Sequence, residues 1–536
     1  MDEVCLSKEN VGRLRDLGFK NVAAVVLLPS VRLEAATVAP CDVSILAQTT
    51  IVRAVENFPK VCSNETRLDM LLQIFACLVL QPAIGRCSSE GVDIGVHDTE
   101  SIPLDMGQPD SLNPSMNSSD LVLYDSLTQT LALQVLWNRG TLDEQYTAIQ
   151  AEAALASLVV LLHRLNNPRL PTSTLVAVTA YADPGDLWTT ETAARLAQRI
   201  LSLQLSGQGL TNFIIGPVLN QHVRLILSSP TGGDPSANSR ASGSVAALDL
   251  AEYENAAAVL NWAIRMTESP DIGKYWHRFV PALVNLAESH EMSVREGGLK
   301  AIISFLEKCP SSAIYTTGMD QLFERTILPT LLLLPTATPE KDSVALLRLG
   351  YTAALQLATT SGDSHNANRR RILDMIIRDG ILEGFRHAAD YISVVDVLMQ
   401  YVAEVVSCLG IFSIKHLKDL LDVIESVTCD PFGADHPGVL ISAAEALIVI
   451  MTNCWPRISN TKRVEQILRI LGVCWLNMNN EASQSIHEGS MPVLKSRILQ
   501  AAGLVRFFAQ TNASEINRAS RAAVLRDRRL QDILMQ

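Results

Sequence analysis

Apolar residues in this chain recur at intervals of three and four, not two, in pairs of segments separated by short polar turns. That spacing builds helices with one buried stripe and leaves little material for a sheet. In "KYWHRFVPALVNLAES", Phe279, Leu283 and Leu286 fall on one helical face; after a turn, "SVREGGLKAIISFLEK" puts Val294, Gly298, Ala301, Ile302 and Phe305 on another. Two such segments joined by a few residues make an αα-hairpin. The pattern returns about 44 residues later. Phe323, Ile327, Leu331 and Leu334 share a stripe, with Pro329 inside it and Pro335 at its end. Pro329 is expected to kink this helix. Thr338, Pro339 and Glu340 then suit the start of the next helix, which lines up Val344, Leu347, Tyr351 and Leu355. The four consecutive leucines 331–334 are expected to face neighbours nearly all around. Further pairs are expected over 369–391, 394–427 and 437–476, and a last one from about Met491. The fold class this predicts is all-α, an irregular helical-repeat solenoid in which each pair buries its face only against the next. "TLVAVTAY", Thr174 to Tyr181, is the best strand candidate and equally suits a short helix or a buried connection.

Two stretches interrupt the texture. Residues 86–120 are rich in Ser, Asp, Gly and Pro and are expected to be a disordered insertion. "SSPTGGDPSANSRASGS", 228–244, has the composition of a flexible loop. The expected organisation is therefore an N-terminal helical region 1–227, a linker 228–246 and a C-terminal array 247–536. With 48% hydrophobic residues against 5% aromatic, the core must be built from small and medium aliphatics, which suits stacked helices.

The net charge of -12 disfavours direct binding of free nucleic acid, which requires Lys and Arg to displace counterions, and it disfavours an anionic membrane surface. The basic tail "RASRAAVLRDRRL" reads as the solvated face of a last helix. Ten cysteines are scattered without a CxxC or a nearby His, and suit buried positions in a reduced, intracellular protein. The acidic start "MDEVCLSKEN" lacks the apolar core of a secretory signal, and no apolar run is expected to reach the roughly 18 to 20 residues of a membrane span. No phosphate loop, dinucleotide fingerprint, HExxH or GxSxG occurs. "SGDSH", 361–365, superficially resembles a serine-protease loop but has no strand scaffold and no partner base. His277 and His290 lack a completing Cys or carboxylate set. The expectation is a binding scaffold rather than an enzyme, with no cofactor and no metal.

Two resemblances sharpen this. "PALVNLAESHEMSVREGGLKAI" resembles a HEAT repeat, with Pro281 in the first helix, an acid before the turn and Val294-Arg295 opening the second. The resemblance implies a bent first helix and an Arg–acid pairing between neighbouring repeats. "MDQLFERTILPTLLLLPTATPEKDSVALLRLGYTAALQLA", "RRRILDMIIRDGILEGFRHA" and "SAAEALIVIMTNCWPRISNTKRVEQILRILGVCWLNM" are similar to the Tel-two-interacting protein two family, over about residues 274 to 480. That resemblance implies the smallest subunit of the Triple T (TTT) cochaperone, partner of two larger TTT subunits. With the ninety-kilodalton heat-shock chaperone and the R-two-T-P assembly, that complex matures phosphatidylinositol-3-kinase-related kinases in cytoplasm and nucleus. It further implies the ASTRA assembly in fungi, and no catalytic residue. Within "CWPRI", Pro456 makes a corner at which Trp455 and Arg457 are candidate contacts for the largest TTT subunit, with Trp475 beside them. The rival for both tryptophans is packing of repeat on repeat. The rival for the whole chain is a HEAT adaptor in nuclear transport or phosphatase scaffolding.

Overall fold

The computed structural model describes residues 68, 71, 74, 75, 126–132, 144–164, 167–186, 188–228, 243–360, 366–458, 461–479, 490–508, 520–521 and 523–534. Among them every regular element is helical. The insertion 86–120, the loop 229–242 and the 361–365 stretch lie outside the described residues. The chain divides into two compact units, Met1–Met266 and Thr267–Gln536. The helix Gly243–Met266 begins inside the stretch expected to be a linker and belongs to the first unit.

In the first unit, α1 (Glu144–Arg164) packs on α3 (Glu191–Gln204). Residues Ala151 to Leu162 of α1 are buried all round, and the one carboxylate among them, Glu152, accepts a hydrogen bond from Thr190. Thr190 also caps α3 by accepting from the Ala193 amide at 3.1 Å. The strand candidate forms α2 (Thr172–Thr179) instead. Its β-branched run suited a strand, but all of Thr174–Ala180 is buried, so surrounding helices decide its form. After α4 (Gly207–Phe213) the backbone widens into a π-helical segment, Ile214–Val223, with Pro217 inside. Proline supplies no amide for the regular ladder, and a π register absorbs that loss. α5 (Gly243–Met266) closes the unit, with Trp262 edge-on to Phe213 at 6.2 Å.

The second unit is a stack of five helix pairs. They are α6 (Ser269–Ala287) with α7 (Met292–Lys308), and α8 (Met319–Ile327) with α9 (Glu340–Thr360). Then come α10 (Ala367–Met375) with α11 (Ile392–Leu409), α12 (Leu417–Thr428) with α13 (Pro437–Asn453), and α14 (Thr461–Met478) with α15 (Met491–Phe508). The second helices form one layer, α7 on α9, α9 on α11, α11 on α13 and α13 on α15, while the first helices form the other. The stack is compatible with the expected repeat solenoid.

The expected stripes are in the core, with Phe279, Leu283, Leu286, Val294, Ala301, Ile302, Phe305, Phe323, Ile327, Leu331, Leu334, Leu347, Tyr351 and Leu355 all buried; Val344 is only partly buried, Ser343 beside it taking the inward position. Four details differ. At Pro329 the helix tightens from α into a 3-10 segment, Leu328–Leu332, which spares the lost hydrogen bond. Of the four leucines only Leu331 and Leu334 enter the core, and Leu332 is half exposed, because the 3-10 turn and the tight γ-turn at Leu333, where the Leu334 amide donates to the Leu332 carbonyl, turn the side chains between them out. The buried Ser343 hydroxyl takes up the Leu333 carbonyl at 2.6 Å. α6 bends at Tyr275, upstream of Pro281. Finally, the helical stretch Ile392–Thr428, which opens with α11, is long and apolar enough to cross a membrane, contrary to the expectation from apolar run length. Its α11 part lies packed between α9 and α13, with ten residues buried.

Polar pairs link each repeat to the next. Arg371 forks onto Glu324 (2.7 Å for Nη1 to Oε1), Lys415 and His416 meet Asp374, and Arg469 meets Glu425 in the first-helix layer. In the second layer Arg348 donates to Gln400 at 2.7 Å, Ser442 to Asp396 at 2.7 Å, and Arg497 pairs with Glu445 at 3.1 Å. The arginine that the HEAT resemblance singled out, Arg295, makes none of these pairs. It is partly buried, desolvation lowers its pKa, and Glu288 offsets that only in part.

Candidate partner-binding site

Helix α13 ends where Cys454 leaves helical geometry, and the side chains of Thr452 and Asn453 donate to carbonyls of its last turns. A single helical turn follows, Trp455–Ile458. Pro456 fits there because the first turn of a helix has no use for its amide. The turn is pinned from inside: Cys454 and Ile458 are fully buried, and Cys454 Sγ lies 3.1 Å from the Ser413 hydroxyl of the preceding repeat. Burial pushes the Cys454 thiol pKa up, with the Ser413 hydrogen bond opposing. Held so, the corner faces Trp455, Pro456 and Arg457 outward, with Trp455 54% exposed. An exposed tryptophan beside an exposed arginine on a short, braced turn loses little conformational freedom on binding.

Trp475 is placed elsewhere. It is 6% exposed on α14, and its indole N–H donates to the Arg529 carbonyl at 2.9 Å. The basic tail thus folds back, Arg528–Leu530 and Gln531–Leu534 lying against α14, so Trp475 holds the tail and does not join the Trp455 surface. The two tryptophans look alike in sequence; only the returning tail separates them.

No three His, Cys, Asp or Glu side chains converge as metal ligands among the described residues. His277 lies edge-on to Trp276 at 6.0 Å. Cys309 and Cys474 are buried thiols, pushed up to about 11 and about 12 by desolvation, which keeps them protonated and unreactive at neutral pH.

No curated protein matches the chain. The model of the Tti2 family matches residues 174–435, which run from α2 through three complete helix pairs of the second unit and the first helix of the fourth. The Trp455 corner lies just beyond that span. The matched segment contains the opening motif of the second pair, from Met319 through the Leu-rich turn into α9, and this match, over just under half of the chain, supports its assignment to the Tti2 family.

Proposed function

We propose that this chain is a non-enzymatic scaffold subunit of the TTT cochaperone complex. The family match supports a TTT subunit role, and it is the observation that carries the reading. The finer reading is that the chain helps the ninety-kilodalton heat-shock chaperone and the R-two-T-P assembly mature phosphatidylinositol-3-kinase-related kinases, acting in cytoplasm and nucleus. On this reading the second unit is a HEAT-like solenoid that presents its turns and edges to partners, as stacked helix pairs generally do. The corner Trp455–Pro456–Arg457 supports a contact with the largest TTT subunit, since Trp and Arg in an exposed, braced position are the side chains that most often anchor interfaces. Affinity purification of the full chain from cells tests the proposal. Recovery of the two larger TTT subunits is the expected result; recovery of transport receptors or phosphatase subunits in their place would overturn it.

A further inference from the structure

The second helices of the stack start level with one another. Arg348 and Gln400, each in the third turn of its helix, are hydrogen-bonded, as are Asp396 and Ser442, each in the second turn, and Arg497 in the second turn of α15 pairs with Glu445 in the third turn of α13. The turns joining first to second helices therefore share one edge, opposite the edge that carries Trp455. On that edge four consecutive repeats each expose one large apolar side chain: Leu332 before α9, Ile392 opening α11, Phe432 before α13 and Val493 opening α15. Single exposed apolar residues are ordinary. Recurrence in the turn region or opening turn of four successive repeats is not what scatter produces.

Phe432 is the most exposed of the four, at 75%, and its turn is rigid. The Asp430 carboxylate accepts from the Phe432 amide at 2.9 Å, Ala434 is buried beneath, and Asn477 of the next repeat donates to the Asp430 carbonyl at 3.2 Å. Around these knobs the edge is acidic. Glu340, Asp390, Asp430 and Asp435 are exposed and make no ion pair with a described residue, against two nearby lysines, Lys341 and, beside Val493, Lys495. Acids at the starts of the second helices also suit the helix dipoles, which explains their sign but not the apolar residues between them.

We infer that this edge is a second docking surface, and that its occupant is a protein segment in which apolar residues alternate with Lys and Arg. Neighbouring helices lie about 8–10 Å apart, so four knobs span about 30 Å. A helical segment of about 20 residues covers that length. The surface deepens the proposed function and rests on it: the segment belongs to one of the larger TTT subunits, and it is separate from the Trp455 contact.

The test places a photoreactive phenylalanine analogue at position 432, 392 or, as a control on the exposed face of α9, 359, in the full chain co-expressed with both larger subunits. Expected are adducts from 432 and 392, severalfold above 359, mapping to a segment rich in Lys and Arg between apolar residues. The adducts should weaken in an Asp390→Lys, Asp435→Lys double variant that melts like the parent. Yields at 432 and 392 no higher than at 359, from an intact complex, would overturn the docking surface and leave the proposed function standing. Adducts that map to an acidic segment, or that survive the charge reversal, would overturn it too. Failure of the unsubstituted chain to assemble with the larger subunits would overturn both.

Discussion

At the scale of single residues, burial separates the side chains that hold the fold from those free to bind. Leu331 and Leu347 are at most 2% exposed, and Leu331 fits against the small residues Gly350 and Gly380 of two neighbouring helices. Leu331→Asp or Leu347→Asp leaves a carboxylate buried without a partner, a cost of about 3 to 5 kcal/mol. Each variant is expected to lose the cooperative melt of the second unit, and a wild-type melting curve from either would place that stripe at the surface. His222 makes the complementary point in the first unit. Burial depresses its pKa from 6.5 to about 4. The unfolded chain therefore takes up a proton between those values that the folded chain refuses. Stability from this group is complete above about pH 6.5 and is lost as pH falls toward 4, with about 2 kcal/mol gone at pH 5. Denaturant titrations at pH 7 and pH 5 should show that loss, and His222→Leu should abolish this component of it. Equal pH sensitivity in the variant would assign the loss to other groups.

At the scale of the element, helix pairing depends on close approach. A Cβ on Gly298 would stand 2.5 Å from the Ala287 amide nitrogen and 2.6 Å from the Leu286 carbonyl carbon. Backbone cannot yield as a side chain can, so Gly298→Ala must push α6 and α7 apart. A destabilisation of about 2 to 3 kcal/mol is expected, read as a lowered denaturation midpoint; an unchanged midpoint would mean that the pair is looser than described. The same pair shows what the sequence made legible. Its stripes could be read because a helix clamped in two layers keeps a strict three-and-four spacing on the buried side. The π-helical segments Ile214–Val223 and Ile376–Leu382 and the 3-10 switch at Pro329 were not legible. They depend on how the backbone shares its hydrogen bonds once neighbours are in place, which spacing does not encode. Leu332 and Leu333 were misplaced for that reason, and Trp475 could not be told from Trp455 because its partner, the Arg529 carbonyl, arrives from 54 residues away. The links between repeats were expected at Arg295 but run through Arg371, Lys415 and Arg469 instead. Exposed pairs of this kind are worth about 0 to 1 kcal/mol each, so they fix the register of one repeat on the next more than they add stability.

At the scale of the whole molecule, each unit has its own buried core, and every described element is helical. Far-UV circular dichroism of the full chain should therefore show helix without a strand component; substantial strand content would contradict the fold. The second unit exposes large apolar side chains at its turns, while its interior is closed by aliphatic stripes and by stacked Tyr351 and Tyr401. A scaffold built this way lets a surface residue change binding without changing the fold. Arg457 is the sharpest case, being exposed on a corner whose stability comes from Cys454 and Ile458 beneath it. The most direct measurement is therefore made twice on one protein: the melting temperature of purified Arg457→Glu, and its recovery of the largest TTT subunit relative to the parent chain. An unchanged melt and a clear loss of recovery are expected, whereas full recovery from a normally folded variant would contradict a partner contact at the Trp455 corner.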